Sequence, residues 1–342
     1  MQPPCAPDQI DGSTLPPNAN PDAEPSSVAG IPCNLCGSND QQQVRAMDRD
    51  GHPLRSVMCR DCGLVWVDPR PSPEEEREFY SHKYRRDYKQ VERPKMKHVY
   101  RSGRAGLERW RRLRPWVRQR GALLDVGAGG GEFLFVARAA GMQVRGIEPN
   151  EGYAAHAREA LELPVKTGFY QDADVEPGSL DVVTAFHVVE HLEDPLGMIR
   201  RSHEWLRADG VLLVEVPNVE ARCQHPNRQF HRGHLYHFNL ETLKAMMQKG
   251  GFDVIDTFVS PDGGNIAVAG RKVPGPAAQG TVPNGNARRV AEVLAHYTNG
   301  SYMLSASPYL RPMRKLASRV GEACAVRGRP DAAAILSRLV SG

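Results

Sequence analysis

The stretch Leu123-Leu-Asp-Val-Gly-Ala-Gly-Gly-Gly-Glu-Phe133 decides how this chain is read. Residues 122–126 form a short apolar run of strand type, and residues 133–140 have the composition of a helix. Between them Gly127, Gly129 and Gly131 permit a tight turn and close approach of the backbone to a ligand. Three details sharpen that reading. Asp125 directly precedes the glycines, where a carboxylate is wrong for a pyrophosphate and well suited to a cationic group. The dinucleotide spacing G-x-G-x-x-G fails, because its third glycine would fall at Glu132. Glu148 ends the next strand 21 residues after Gly127, where an acid can accept hydrogen bonds from ribose hydroxyls. The turn predicts a cradle for a nucleoside cofactor.

Outward from this turn, strands and helices alternate. Strands are expected at 143–147, 164–167, 180–186 and 210–216, and helices at 152–161, 195–206 and 240–249. Strands 252–259 and 265–269, joined by Ser260-Pro-Asp-Gly-Gly264, read as an antiparallel hairpin at one edge. The pattern predicts an α/β fold: a Rossmann-like, seven-stranded, mostly parallel sheet with helices on both faces.

A second signal lies upstream. Cys33-x-x-Cys36 and Cys59-x-x-Cys62, 22 residues apart, can place four thiolates tetrahedrally around Zn²⁺. Gly37 and Gly63 follow the second cysteine of each pair and relieve crowding in the knuckle. Strands at 44–47 and 54–58 flank the turn signal Asp50-Gly51, and 64–67 is a third strand candidate. Four thiolates leave no open coordination position, so the expected zinc is structural. Cys5, Cys223 and Cys324 are scattered, which is no secreted disulfide framework, and a cytoplasmic location is expected.

The remaining organisation follows from composition. Residues 1–30 are rich in Pro, Asn, Asp and Ser and read as a disordered lead with no signal-peptide pattern. The zinc ribbon spans 31–68 and a basic helical connector 69–120. Ser72-Pro-Glu-Glu75 is a capping box, and Leu107, Trp110, Leu113 and Val117 make one apolar face. The core is 121–271, a linker 272–286, and a basic helical extension 287–342 with Arg288, Arg289, Arg311, Arg314, Lys315 and Arg319. A net charge of +4 is mild and does not itself imply nucleic acid. No apolar run approaches the ~20 residues of a membrane helix. Peripheral membrane contact through the basic C-terminal helices stays open.

These residues resemble the class I S-adenosylmethionine-dependent methyltransferases. The resemblance covers 123–269, with the glycine loop, Gly146-Ile-Glu-Pro149, Leu180-Asp-Val-Val-Thr-Ala-Phe-His-Val-Val-Glu-His191, Gly210-Val-Leu-Leu-Val-Glu-Val-Pro-Asn218 and Gly250-Gly-Phe252 in the family's order. It implies S-adenosyl-L-methionine as cofactor, with Asp125, Gly127 and Gly129 at its methionine end and Glu148 on the ribose. Gln171 or Asp172 would approach the adenine, Phe186 and His187 would lie under the sulfonium, and Tyr84 would cover the cofactor. A zinc ribbon ahead of such a core resembles enzymes of bacterial sugar and polysaccharide modification.

Methylating a hydroxyl requires removal of its proton, and histidine suits that near pH 7. His187, Glu190 and His191 follow the fourth strand; His225, His231, His234 and His237 follow the fifth. His191 is the expected base, with His234 and His237 as rivals. The string His187-x-x-Glu190-His191 is not read as a zinc-protease motif, because it trails a strand instead of lying on a helix. Ubiquinone-pathway and small-RNA 2′-O-methyltransferases bind a divalent ion through a Glu/His cluster here; Glu190, His191 and His237 would match, with His187 in place of an acid. The expected activity is methyl transfer to a hydroxyl (or carbon) of a sugar nucleotide, glycan or related small metabolite. The alternatives are an RNA methyltransferase, resting on the ribbon and the basic stretch with Tyr80, Tyr84, Tyr88 and Tyr100, and a non-catalytic zinc-ribbon interaction protein. Nucleic acid is the less favoured partner.

Overall fold

The computed structural model describes residues 30–70, 93–275, 280–328 and 331–341. Tyr84, Tyr80, Tyr88 and the Ser72 cap lie outside the described residues, as do residues 1–29 of the expected lead.

The main sheet grows from the opening stretch. β4 (Ala122–Val126) lies between β5 (Gln143–Glu148) and β7 (Leu180–Phe186), parallel to both. β6 (Val165–Thr167) extends the sheet beyond β5, and β8 (Leu206–Pro217) beyond β7. β11 (Asn265–Lys272) pairs antiparallel with β8, and β10 (Phe252–Val259) closes that edge antiparallel to β11. The order is β10-β11-β8-β7-β4-β5-β6, so β11 alone runs against the other six. Such a seven-stranded, mostly parallel sheet is Rossmann-like, as the alternation predicts. Its central strands are buried on both faces, which is why they read as Val/Leu-rich runs and not as an alternation. The strand order reverses around β4, and the crevice outside the carboxyl ends at such a reversal is the usual ligand site.

The two largest departures from the expected bounds are in the connecting helix and in β8. The connecting helix α1 (Met96–Leu113) stops short of residue 120, because Pro115 cannot continue it and the chain passes into a tight turn at Arg114–Trp116. β8 begins at Leu206, earlier than residue 210, since α4 (Pro195–Trp205) runs directly into it. The polar Arg207-Ala-Asp209 hides that start from an apolar pattern. Helices α2 (Glu132–Ala139), α3 (Glu151–Leu161) and α5 (Leu240–Lys249) complete the alternation, α5 opening on a capping box between Asn239 and Thr242.

The cysteine-bearing segment is not a separate bead. β1 (Gln41–Met47), β2 (Pro53–Cys59) and β3 (Val65–Val67) form an antiparallel sheet whose fourth strand, β9 (Tyr236–His237), comes from the loop after β8. Val65 pairs with His237 and Trp66 with Tyr236. Trp66 and Tyr236 are buried in one apolar cluster that reaches Leu212 and Val268 of the main sheet. The C-terminal extension consists of α6 (Asn286–His296), α7 (Asn299–Met303), α8 (Ser307–Val326) and α9 (Ala332–Ser341). Asn286, placed by sequence in a linker, is buried instead. Its side-chain amide donates to the Cys62 carbonyl at 2.8 Å. Gly63, at φ +82°, lies so near this helix that a Cβ would sit 2.9 Å from Ala287 Cα. Residues from Ile31 onward form one compact unit.

Candidate active site

The turn after β4 forms one wall of a cleft of about 320 Å³, lined by Asp125, Gly127, Gly129, Tyr153, Phe186 and Arg109 among others. Asp125 is buried and accepts a hydrogen bond from Thr184 Oγ1 on neighbouring β7 at 2.6 Å. Burial raises its pKa to about 7, against the opposing pull of Thr184 and Arg109. Gly127 has φ +72°, and a Cβ there would come 2.5 Å from Val188, so the turn demands glycine. Glu148 closes the turn from β5: its carboxylate accepts from the amides of Gly129 and Asn150, each at 2.8 Å. Burial raises its pKa too, partly offset by those two amides.

Of the other cofactor candidates, Phe186 lies at the end of β7 with its ring edge-on to Phe133, centroids 4.8 Å apart. Gln171 and Asp172 are exposed on the short turn Tyr170–Asp172 after β6 and are not among the residues lining the cleft.

Arg109 is the residue that sequence reading passed over. Its guanidinium lies 4.2 Å from the Phe186 ring centroid and donates to Glu215 Oε1 at 2.6 Å. Nothing local separates it from the other arginines of α1. The available signal was its partner, an acid inside the apolar run of β8.

His187 stands at φ +57° where the chain leaves β7. Its Nε2 is 3.4 Å from Glu215 Oε1 and its Nδ1 3.3 Å from Glu190 Oε1. Burial disfavours the imidazolium, but the two carboxylates outweigh it and raise the pKa to about 9. Burial likewise works against the Glu215 anion, which His187 and Arg109 hold down at about 2. A charged chain, Arg109–Glu215–His187–Glu190, therefore leads away from the cleft.

It ends in a histidine cluster. Glu190 is 1% exposed, and neither carboxylate oxygen has a hydrogen-bond partner. His191 Nδ1 is 2.5 Å from the Gly233 carbonyl, which can only accept, so that nitrogen carries the proton. Nε2 of the same ring is 3.9 Å from Glu190. The His234 ring packs edge-on against His191, centroids 4.7 Å apart, and burial first, then its histidine neighbours, push its pKa far down. His237 is buried beneath, its pKa lowered to about 3 chiefly by desolvation. His225 turns away and packs on Tyr302. Ligand atoms of Glu190, His191 and His234 lie within 4.8 Å of one another. His234, and not the His237 expected from sequence, completes that group, because His237 is held on β9 beneath it.

The four cysteines also converge, all Sγ atoms lying within 4.8 Å of one another. Cys33 and Cys62 are 3.5 Å apart and Cys36 and Cys59 3.4 Å. Four sulfurs ~2.3 Å from one ion would be about 3.8 Å apart, so this donor set fits zinc.

Residues 96–257 match a family model described as a methyltransferase domain. A probable S-adenosylmethionine-dependent methyltransferase of Mycolicibacterium smegmatis is 27% identical over 146 residues, covering 42% of this chain and 57% of that protein. The ubiquinone biosynthesis O-methyltransferase of Pseudomonas paraeruginosa is 33% identical over 114 residues, covering 30% of this chain and 49% of that protein. The chain thus spans about half the length of these curated relatives. A solved S-adenosylmethionine-dependent methyltransferase from Archaeoglobus fulgidus aligns with 56% of this chain and 100% of its own, at 19% identity and a TM-score of 0.43. The matched span is thus similar to a methyltransferase domain, and the glycine turn, Glu148 and Phe186 described above all lie within it.

Proposed function

We propose that this protein transfers a methyl group from S-adenosylmethionine to a hydroxyl of a small acceptor: a sugar nucleotide, a glycan or a related metabolite. One observation carries the reading. An unbroken path of contacts runs from the cofactor cleft through Arg109, Glu215, His187 and Glu190 to the His191–His234 cluster. The relative named as an O-methyltransferase supports oxygen over carbon as the acceptor atom.

The cofactor, when bound, supplies a methyl group on a positively charged sulfur. Asp125 and Glu148 would hold its cationic and ribose ends. Arg109, fixed by Glu215 and stacked on Phe186, shapes the cleft wall. His191 takes the acceptor proton at Nε2, since Nδ1 is engaged by the Gly233 carbonyl. The Glu190 carboxylate, 3.9 Å from that same Nε2, then offsets the imidazolium charge, while the Gly233 carbonyl orients the ring from Nδ1. His234 and His237, kept neutral by burial, support the ring without opposing its charge. Cys33, Cys36, Cys59 and Cys62 would hold a structural zinc that fixes β3 and, through it, β9.

A second reading rests on the Glu190–His191–His234 group, which offers three ligands to a divalent cation. Such an ion would supply Lewis acidity at the acceptor hydroxyl. Loss of activity in EDTA, restored by Mg²⁺ or Mn²⁺ but not by zinc, would select it. The RNA reading loses support from α1, where Arg101 and Arg109 are already paired with Glu322 and Glu215.

The test is to incubate the protein with methyl-labelled S-adenosylmethionine and fractionated cell extract. Label in the sugar-nucleotide, glycan or small-metabolite fractions is expected. Label in RNA would overturn the acceptor class. Cofactor binding without label in any fraction would overturn the activity.

A further inference from the structure

α8 presents the wrong face to solvent for a helix that only packs on its own protein. Tyr309, Met313, Leu316 and Val320 recur at steps of four and three, which puts them on one stripe. They are 62%, 69%, 64% and 57% exposed, and Leu310 beside them is 44% exposed. The opposite face is the anchored one. Buried Glu322 receives two hydrogen bonds from Arg101 of α1, at 2.8 and 2.7 Å, and one from Ser318 at 2.9 Å. The apolar patch continues at the preceding turn: Tyr309 donates to the Met303 carbonyl at 3.2 Å, and Met303 and Leu304 are 52% and 92% exposed.

Arg319 and Lys315 flank one side of this stripe, and Arg311 lies beyond them toward the anchored face. Arg311, Lys315 and Arg319 line a groove of about 390 Å³ together with Tyr302 and Leu316. Lys315 is held below its ordinary pKa first by Arg311, then by desolvation, Arg228 and Arg319, the signature of crowded positive charge. Residues 286–342 carry nine Arg/Lys against three Asp/Glu, whereas the whole chain has a net excess of only four.

We infer that α8 docks on an anionic lipid surface, its apolar stripe entering the headgroup boundary and the flanking Lys315 and Arg319 reaching lipid phosphates. An apolar stripe flanked by Lys and Arg is what an interfacial helix needs. Charge decides against a second copy of this chain. The one carboxylate of α8, Glu322, is already engaged, so two copies packed across the stripe would bring cations together with no acid to offset them. Among the described residues no helix is long and apolar enough to cross a membrane, so the contact is peripheral. This surface is independent of the acceptor's identity.

The test is flotation of the full chain with phosphatidylcholine vesicles, with and without about one-third phosphatidylglycerol. Binding to the anionic vesicles only, weakening with salt, is expected. Leu316→Ser with Met313→Ser, and separately Lys315→Glu with Arg319→Glu, should each lower the bound fraction by tenfold or more. Both double variants alter exposed side chains, so cofactor affinity and circular dichroism should not change. Equal or absent binding to the two vesicle types would overturn the inference. So would a dimer in solution that Met313→Ser disperses, or tight RNA binding indifferent to the stripe variants.

Discussion

The cysteine clip and the histidine cluster are both groups of ligating side chains drawn from two distant segments, yet they are built in opposite ways. Each half of the clip is a self-contained knuckle. Two cysteines three apart share one turn, and Gly37 and Gly63 take left-handed conformations as the chain leaves it. Only the meeting of the two knuckles is long-range. In the histidine cluster, only the Glu190–His191 pair is local, on the turn Val189–His191. His234 and His237 arrive on a loop that has two strand residues of its own and is held because β9 pairs with β3. A metal on the four sulfurs would thus support the cluster: it would hold β2 and β3, β3 pairs with β9, and β9 carries His237 directly after the loop that brings His234. The proposed metal clip and the proposed base cluster are joined through one sheet.

The largest expected effect breaks that link. Cys36→Ser with Cys59→Ser should release the clip and lower the thermal midpoint, as loss of a structural zinc site costs several kcal/mol. Methyl transfer should fall steeply while cofactor affinity, set by the turn after β4, changes less than about threefold. Equal loss of both would show that the clip supports the whole fold and not the cluster in particular.

Next in size, His191→Ala should lower kcat by about 10²–10⁴-fold with cofactor affinity unchanged, the usual worth of a general base. His237→Ala should act less on kcat and more on stability, since that ring is buried. A calorimetric titration of cofactor beside a single-turnover rate separates the two. The reverse ranking would move the chemistry from His191 to β9.

The smallest effect concerns pH at the cradle. Asp125 has its pKa raised to about 7, so the native state holds this proton more tightly than the unfolded chain. The stabilisation this brings is complete below the ordinary carboxylate range and fades as pH rises through about 7. A cationic ligand needs the anion, so cofactor affinity should climb about tenfold per unit toward pH 7 and then level off. Asp125→Asn should flatten that profile and weaken binding above it. A wild-type profile flat from pH 5 to 8 would remove Asp125 from the cationic end of the cofactor.

Legibility followed the range of the interactions. Asp125, Gly127, Gly129 and Glu148 could be read because a strand, a glycine turn and a second strand end lie within one short unit. The parallel sheet could be read because its central strands are mainly apolar runs with few polar residues. Arg109 could not, since its meaning depends on Glu215, 106 residues away. Gln171 and Asp172 were placed by analogy, and the structure puts both at an exposed rim. β8 was read short because the polar residues after Leu206 mask an early start.

The alternating α/β order, the glycine cradle and the paired cysteine knuckles are written locally. Each is a matter of φ/ψ preference, apolar period or contact within a few residues. Long-range packing alone selects which histidine joins Glu190 and His191, which arginine walls the cleft, and the completion of the cysteine-bearing sheet by β9. A two-residue strand has no period of its own. It becomes a strand, and carries its histidines to one place, only when Trp66 and Val65 give it a partner.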